Sequence, residues 1–428
     1  MRDIVVFCLI FGLLPFALKK PFYGVLLFVW VSLMNPHRLT YGPAYTFPFD
    51  SVIVIVTLIG LVISKDRKHV PVTSNLVALM LFLIWATITT FFALEPDLAW
   101  KEWVLVMKTA ILFLVILVSV DTKKEIQLLT AVICLSIGFY GLKGGLFTIL
   151  TGGNSHVFGP EGSYIQDNNG LALALITITP LLWYMQATVQ IKFIRYCFIG
   201  LGILTLVGAA GSYSRGALIG AIAMFAYLVL KSKNKFQFLQ ILLILTPIIF
   251  SVMPQQWFDR MTSIGEYQQD SSALGRINAW QFAMNVASHS FTGGGFKCFT
   301  VKQFLIFAPD PRNFHVAHSI YFQVLGEHGY AGLILFLLFI FLSWKLAHDI
   351  SKQCKNRTDL GWAANLAIAC QSSIIGFAVG GAFLSLAYYD LFYDIIALPI
   401  LLNKVLALSE GPLKVSSAAV MNIKPDNG

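Results

Sequence analysis

Residues 196–230 read YCFIGLGILTLVGAAGSYSRGALIGAIAMFAYLVL, an apolar run interrupted only by Gly-Ser-Tyr-Ser-Arg-Gly at 211–216. As one helix this run would extend about 50 Å at 1.5 Å per residue, too long for one crossing of a hydrocarbon core about 30 Å thick. The chain must therefore turn near Gly211–Gly216, which leaves Arg215 at a membrane surface or in a cavity there. Working outward, residues 70–94, 168–191, 236–258 and 360–389 contain no Lys, Arg, Asp or Glu. Of the 428 residues, 57% are hydrophobic and only 12% charged, half the charge density usual in a soluble domain. These numbers exclude a water-soluble enzyme, a disordered chain and a secreted disulfide scaffold. The fold class is an all-α polytopic membrane protein.

Apolar runs place spans near 3–18, 21–34, 47–64, 70–93, 103–120, 125–142, 168–188, 194–212, 215–231, 236–253, 319–345, 360–386 and 388–407, a total of about 12, either 12 or 13. The chain divides into N-terminal spans over 1–253, an outer segment over 254–318, C-terminal spans over 319–408 and a tail from 409 to 428. The first apolar run has no small-residue cleavage site and reads as an uncleaved helix.

A net charge of +9 could signal nucleic acid, but the positions of the charges argue against that partner. Six alternate gaps between spans hold 16 Lys and Arg residues, from Lys19 and Lys20 to Arg357, and the C-terminal end of the chain adds Lys404, Lys414 and Lys424. The short gaps on the other side hold Arg2, Arg38, Lys101, Lys143 and Arg215. Such asymmetry marks the basic side as cytoplasmic, so 254–318 and the smaller Gly-rich loop 143–167 face outward. Within 254–318, Leu274, Ile277, Trp280, Met284 and Ala287 recur at helical spacing after Ser271 and Ser272, which can cap. This short amphipathic helix is expected to lie on the membrane face with Trp280 as its interfacial anchor and Arg276 in its first turn. Gly293-Gly294-Gly295 and Ala308-Pro309-Asp310-Pro311-Arg312 follow as turns.

Several outer residues have chemistry to offer. His318 opens the span after the long loop, where an imidazole can transfer a proton, cap the helix or, with His315, bind zinc. Glu327 and His328, over two turns further in, read as residues that orient the helix. Arg215 and Arg276 each adjoin a glycine, and a guanidinium fork suits phosphate oxygens; the alternative is snorkelling to lipid headgroups. Arg312, Lys143 and Tyr213 are further candidates on the same side. Asp390 and Asp394, one helical turn apart, fit acid/base work, a bound cation or a solvated helix end. Asp167, Asn168 and Asn169 most simply cap the span they begin. There is neither an Asp-x-Asp triplet nor a P-loop, and no C-x-x-C pair, so a metal or nucleotide cofactor lacks support.

Gly211-Ser-Tyr-Ser-Arg-Gly216, Ser272-Ala-Leu-Gly-Arg-Ile-Asn-Ala-Trp280 and His315-Val-Ala-His-Ser-Ile-Tyr-Phe-Gln-Val-Leu-Gly-Glu-His-Gly329 resemble the O-antigen ligase (WaaL-type, Wzy-C) superfamily. The N-terminal part, with Lys20-Pro21 and Asn35-Pro36, is similar to the exosortase-associated O-glycosylation ligase branch. The resemblance implies a GT-C-like glycosyltransferase of the bacterial inner membrane with a periplasmic active site. Such enzymes take a glycan from undecaprenyl pyrophosphate and transfer it to a lipid A–core hydroxyl, a protein Ser/Thr or a growing glycan. It further implies His318 as base, Arg215 and Arg276 on the pyrophosphate, and no metal. A transporter for the lipid-linked glycan is the reading from another class. Inverted repeats and a central polar path would favour it, and apart from Lys108 the spans supply neither.

Overall fold

The computed structural model describes residues 1–64, 70–231, 243, 246–262 and 271–410, with backbone alone for 271, 272, 409 and 410. Among the described residues there is no strand. The helices are α1 (Arg2–Lys19), α2 (Pro21–Met34), α3 (Phe49–Ile63), α4 (Ser74–Phe91), α5 (Pro96–Ser119), α6 (Lys123–Leu150), α7 (Asn168–Thr188), α8 (Lys192–Ala210), α9 (Arg215–Lys231), α10 (Gln255–Thr262), α11 (Ser271–His289), α12 (Val301–Phe307), α13 (Ile320–Cys354), α14 (Gly361–Gly380) and α15 (Asp390–Glu410). Residues 246–252 are also helical. Eight of these helices, α4 to α8 and α13 to α15, are long and apolar enough to cross a membrane, and α2 and α3 are shorter apolar helices. The span expected over 236–253 falls largely outside the described residues.

Local chemistry sets the breaks. Pro21 opens α2 directly after Lys20, where its missing N–H costs nothing, and Asn35 closes α2 in the left-handed region at φ 50°. A capping box of Thr122 and Glu125 starts α6, and Lys20 adds a 2.6 Å ion pair to Glu125. Asp167 caps α7 as expected, accepting from the N–H groups of Asn169 and Gly170. The buried Lys404 of α15 donates to the carbonyls of Leu117 and Val120 at the frayed end of α5 and pairs with Asp121 at 2.7 Å.

The core is built around α7 and α15, whose faces are covered on nearly every side. Neighbours α6, α8, α9 and α14 pack about α7, while α2, α5, α6, α13 and α14 pack about α15. Apolar side chains such as Ile84, Leu135 and Ile334 remain exposed on the outer helices, as a bundle bathed in lipid requires.

Two expectations are corrected. Lys143 lies within α6, which runs on to Leu150, and not in a loop. Gly144 and Gly145, within the expected loop 143–167, instead let α6 press on α8: a Cβ on Gly145 would stand 2.2 Å from the Leu204 carbonyl oxygen. The face of α11 buried within the protein is Gly275, Asn278, Ala279, Phe282, Ala283, Val286 and Ala287; of the apolar stripe, Ala287 is thus buried while Leu274 and Met284 are exposed. Small residues there allow close approach, and Phe282 stacks on Phe304 at 4.3 Å. Trp280 is also not a free anchor, because it stacks on Phe322 at 4.9 Å and donates to the Ala317 carbonyl. The capping role of the Ser271 and Ser272 side chains lies outside the described residues.

Candidate functional site

The Gly211–Gly216 turn is where the long apolar run reverses: α8 stops at Ala210 and α9 starts at Arg215. Its carbonyls are claimed from four directions. Val157 N–H donates to Gly211, Asn168 Nδ2 to Ser212, Trp257 Nε1 to Ala210 and Arg260 Nε to Tyr213. Tyr213 adopts φ 61°, and its buried hydroxyl donates to the Gly153 carbonyl at 2.6 Å. Tyr213 thus fastens the turn, and the turn fixes the root of Arg215. The neighbouring Gly216 abuts Phe383, since a Cβ there would lie 3.0 Å from that side chain.

Phe383 belongs to a 3₁₀ turn, Gly381–Phe383, that separates α14 from the loop leading into α15. Gly381 faces Ile320, the first residue of α13, and Ser385 Oγ accepts from the His318 N–H at 2.8 Å. Residues 381–385 therefore bridge the root of Arg215 and the backbone of His318. Sequence reading missed this segment by treating 360–386 as one span.

His318 is half-buried and sits at φ 42°, a left-handed conformation that a side chain other than Gly rarely adopts. Such strain, roughly 1–3 kcal/mol, persists only where the surroundings hold it, and it concentrates at functional sites. Burial first, then the positive charges of Arg276 and His315, hold the imidazole below the ordinary histidine value; Asp167 pulls the other way. The His315 ring rests on Gly275, where an added Cβ would come within 2.4 Å of it. Gly275 thus makes room for His315 beside Arg276, and α11, the 308–318 loop and the start of α13 converge.

Arg276 is the sixth residue of α11, past the four free N–H groups of the helix start and so not in the first turn where it was expected. The Asp390 carboxylate is taken up by Ser32 of α2 and by Thr109 of α5, the latter at 2.7 Å, and Asp394 is buried behind it. Lys143 and Arg312 are exposed, and the Arg312 N–H donates to Asp310 in a local turn.

What supports His318 from below is a broken helix. Within α13, Gly329 adopts φ 66°, ψ −172°, a conformation open essentially to glycine alone. A Cβ there would also meet the Phe291 carbonyl oxygen at 2.4 Å. The carbonyls just before the break find outside donors: Gly294 N–H for Gly326, Gly295 N–H for Glu327 and Trp85 Nε1 for His328, each at 2.8 Å. The Glu327 carboxylate accepts from Lys297 N–H and from the Tyr388 hydroxyl, and His328 lies between Tyr388 and Thr89. Because Tyr388 gives its one proton to Glu327, His328 donates to the Tyr388 hydroxyl from Nε2, while its Nδ1 lies against the Thr89 hydroxyl. Glu327 and His328 thus hold the short outer piece of α13 in place, with His318 just ahead of its start.

An apolar groove of about 660 Å³ runs between α8, α9 and α10, lined by Leu206, Ala217, Ile222, Phe225, Trp257 and others, and Ser214, beside Arg215, lines it too. Among the described residues no group of three or more His, Cys, Asp or Glu side chains is arranged to hold a metal ion.

Residues 200–337 match the family model described as O-Antigen ligase. The matched stretch contains the turn, Arg276, His318 and the Gly329 break. Residues 1–190 match a second model, described as a family of unknown function (DUF5935). No curated protein matches the chain. The O-antigen ligase match and the eight membrane-length apolar helices support a multi-pass membrane protein of polysaccharide biosynthesis with a ligase- or polymerase-like glycan-transfer function.

Proposed function

We propose that this chain is an inner-membrane O-antigen ligase with a GT-C-like fold of 12 or 13 spans. In this reading it moves a glycan from undecaprenyl pyrophosphate to a lipid A–core sugar hydroxyl at the periplasmic face. The observation that carries the reading is the convergence at one end of the bundle. His318 lies in the field of Arg276, and residues 381–385 touch both the root of Arg215 and the His318 backbone.

The chemistry follows from that arrangement. His318, kept neutral, takes the proton of the acceptor hydroxyl as its oxygen attacks the anomeric carbon. The bond from that carbon to the pyrophosphate oxygen breaks, and the electron pair leaves with the lipid pyrophosphate. Arg215 and Arg276 stabilise the charge growing there, so no metal is required of the mechanism. A single displacement inverts the anomeric centre. The apolar groove beside Arg215 suits the donor's isoprenoid tail, with its headgroup at the arginine. The glycan polymerase and protein O-glycosylation ligase readings share the donor chemistry and differ only in the acceptor.

The test is transfer by the purified protein in lipid nanodiscs, supplied with undecaprenyl-pyrophosphate glycan and lipid A–core, with and without EDTA. Product from wild type, undiminished by EDTA, and none from His318→Ala is the expected result. No product with lipid A–core but product with a peptide or a second glycan as acceptor would reassign the acceptor. Product from His318→Ala at the wild-type rate would remove His318 from the chemistry.

A further inference from the structure

Beside the candidate site, buried polar atoms from three separate segments stand without partners. Arg38 lies in the 3₁₀ turn Pro36–Leu39, Asp50 in the first turn of α3 and Tyr389 just ahead of α15. Arg38 Nε, Asp50 Oδ1 and the Tyr389 hydroxyl are each buried with no hydrogen-bond partner among the described residues. Arg38 and Lys108 of α5 both act on Asp50 electrostatically, yet no ion pair joins either to it among the described residues. The Arg38 guanidinium lies over the Tyr45 ring at 4.8 Å, and the Lys108 ammonium reaches the Ser51 hydroxyl at 3.5 Å. The Asp390 carboxylate, held by Ser32 and Thr109, bears on Asp50 from α15. The loop ahead of α7 closes over the group. A Cβ on Gly162 would stand 3.2 Å from Arg38 Nη1, and Tyr164 packs on Tyr389 at 5.7 Å while remaining 39% exposed, so its ring is within reach of a ligand.

We propose that Arg38, Asp50, Lys108 and Tyr164 form a subsite for an uncharged sugar unit of a glycan substrate, which rests on the glycan-transfer reading and deepens it. A polar atom buried without a partner costs roughly 1–3 kcal/mol, a cost that a ligand's hydrogen bonds remove. The guanidinium and the ammonium can only donate, and the carboxylate only accepts. Adjacent sugar hydroxyls do both, and the Tyr164 ring offers an apolar face to the sugar's C–H side. Charges of both signs disfavour the simple ions. The two cations repel a metal ion, and Asp50 with Asp390 repels a phosphate. Residues 385–390 tie this group to the candidate base: Ser385 holds the His318 amide, Tyr388 holds Glu327, and Tyr389 lies against Tyr164. That segment reaches at most about 20 Å when extended, so the subsite holds a unit a short way along a chain whose reacting end is at His318.

The experiment uses the full chain in lipid nanodiscs and reads sugar binding apart from transfer, by saturation-transfer NMR. The probes are dephosphorylated core oligosaccharide, the free glycan released from the lipid donor, and inorganic phosphate. One of the two oligosaccharides is expected to bind wild type and His318→Ala alike and to resist displacement by phosphate; which one binds assigns the subsite to acceptor or donor. Asp50→Asn and Arg38→Gln should each weaken that binding by roughly 10-fold or more. Tyr164→Ala should weaken it too, whereas Tyr164→Phe keeps the ring and the binding. In the transfer assay the same variants should raise the KM for that substrate by a similar factor, with kcat within about twofold of wild type. Tyr164→Ala, at an exposed loop residue, decides the matter should the buried variants fail to accumulate. Binding unchanged in all three variants would overturn the proposal, as would no signal from either oligosaccharide or displacement by phosphate. A fall in kcat at unchanged KM would make these residues structural and overturn it as well. Wild type that binds an oligosaccharide as described but transfers nothing would leave the subsite standing and bring down the transfer reading alone.

Discussion

The backbone N–H of His318 donates to the hydroxyl of Ser385 across 67 residues of chain, at 2.8 Å. That one bond joins the helix start that carries the candidate base to the 3₁₀ turn that touches the root of Arg215. It also helps hold His318 at a φ of 42°, which the backbone would otherwise relax.

Removing it should therefore be felt in turnover before it is felt in folding. Ser385→Ala is expected to lower kcat by roughly three- to tenfold, the equivalent of about 1 kcal/mol, with the KM for the lipid donor nearly unchanged. Ser385→Thr should recover most of the loss. A normal kcat in the Ala variant would mean that the bond does not position His318.

The two arginines should behave as forks and not as point charges. Arg276→Ala and Arg215→Ala are each expected to abolish measurable transfer in protein that still elutes as a monodisperse peak. Arg276→Lys should stay impaired by about 10-fold or more, since an ammonium cannot hold two phosphate oxygens in one plane. Full activity with Lys would remove the bidentate role.

The acid limb of the pH–rate profile reports the His318 imidazole. Burial, Arg276 and His315 all favour its neutral form, so transfer should persist to a pH below the ordinary histidine value of about 6.5 and fall as His318 takes up a proton. The neighbours give opposite signs. His315→Gln removes a nearby cation and should move the limb up; Asp167→Asn removes the charge that favours the protonated form and should move it down. A limb that ignores both changes belongs to another group.

Gly329 tests the broken helix. Gly329→Ala puts a methyl group 2.4 Å from the Phe291 carbonyl oxygen and forces Ala into a glycine-only backbone. The backbone alone costs roughly 1–3 kcal/mol, and the clash adds to it. The melting midpoint should drop sharply, or the chain should fail to accumulate. Tyr388→Phe, which leaves Glu327 and His328 short of a partner, should cost less, roughly 1–3 kcal/mol.

The sequence by itself determined what depends on local chemistry and length. Apolar run length against bilayer thickness predicted α7 and α9 to within a residue or two, forced the turn at 211–216 and assigned Asp167 as a cap. Residue chemistry marked Arg215, Arg276 and His318 as candidates, because a guanidinium fork suits phosphate oxygens and an imidazole can transfer a proton. What only the tertiary structure decided are relationships between distant stretches. Glycine signals a turn and a close helix contact by the same absence of a side chain, so Gly144 and Gly145 read as loop until α8 lies against them. Which apolar residues of α11 meet protein was likewise not legible, because lipid and protein core are equally apolar: Leu274 and Met284 are exposed, whereas Ala279 and Phe282 are buried. The break at Gly329 is invisible in an uninterrupted helical pattern, since the donors that make it tolerable come from Trp85, Gly294 and Gly295. Ser385 likewise gains its meaning only when folding sets its hydroxyl on the His318 amide, a contact that no local spacing encodes.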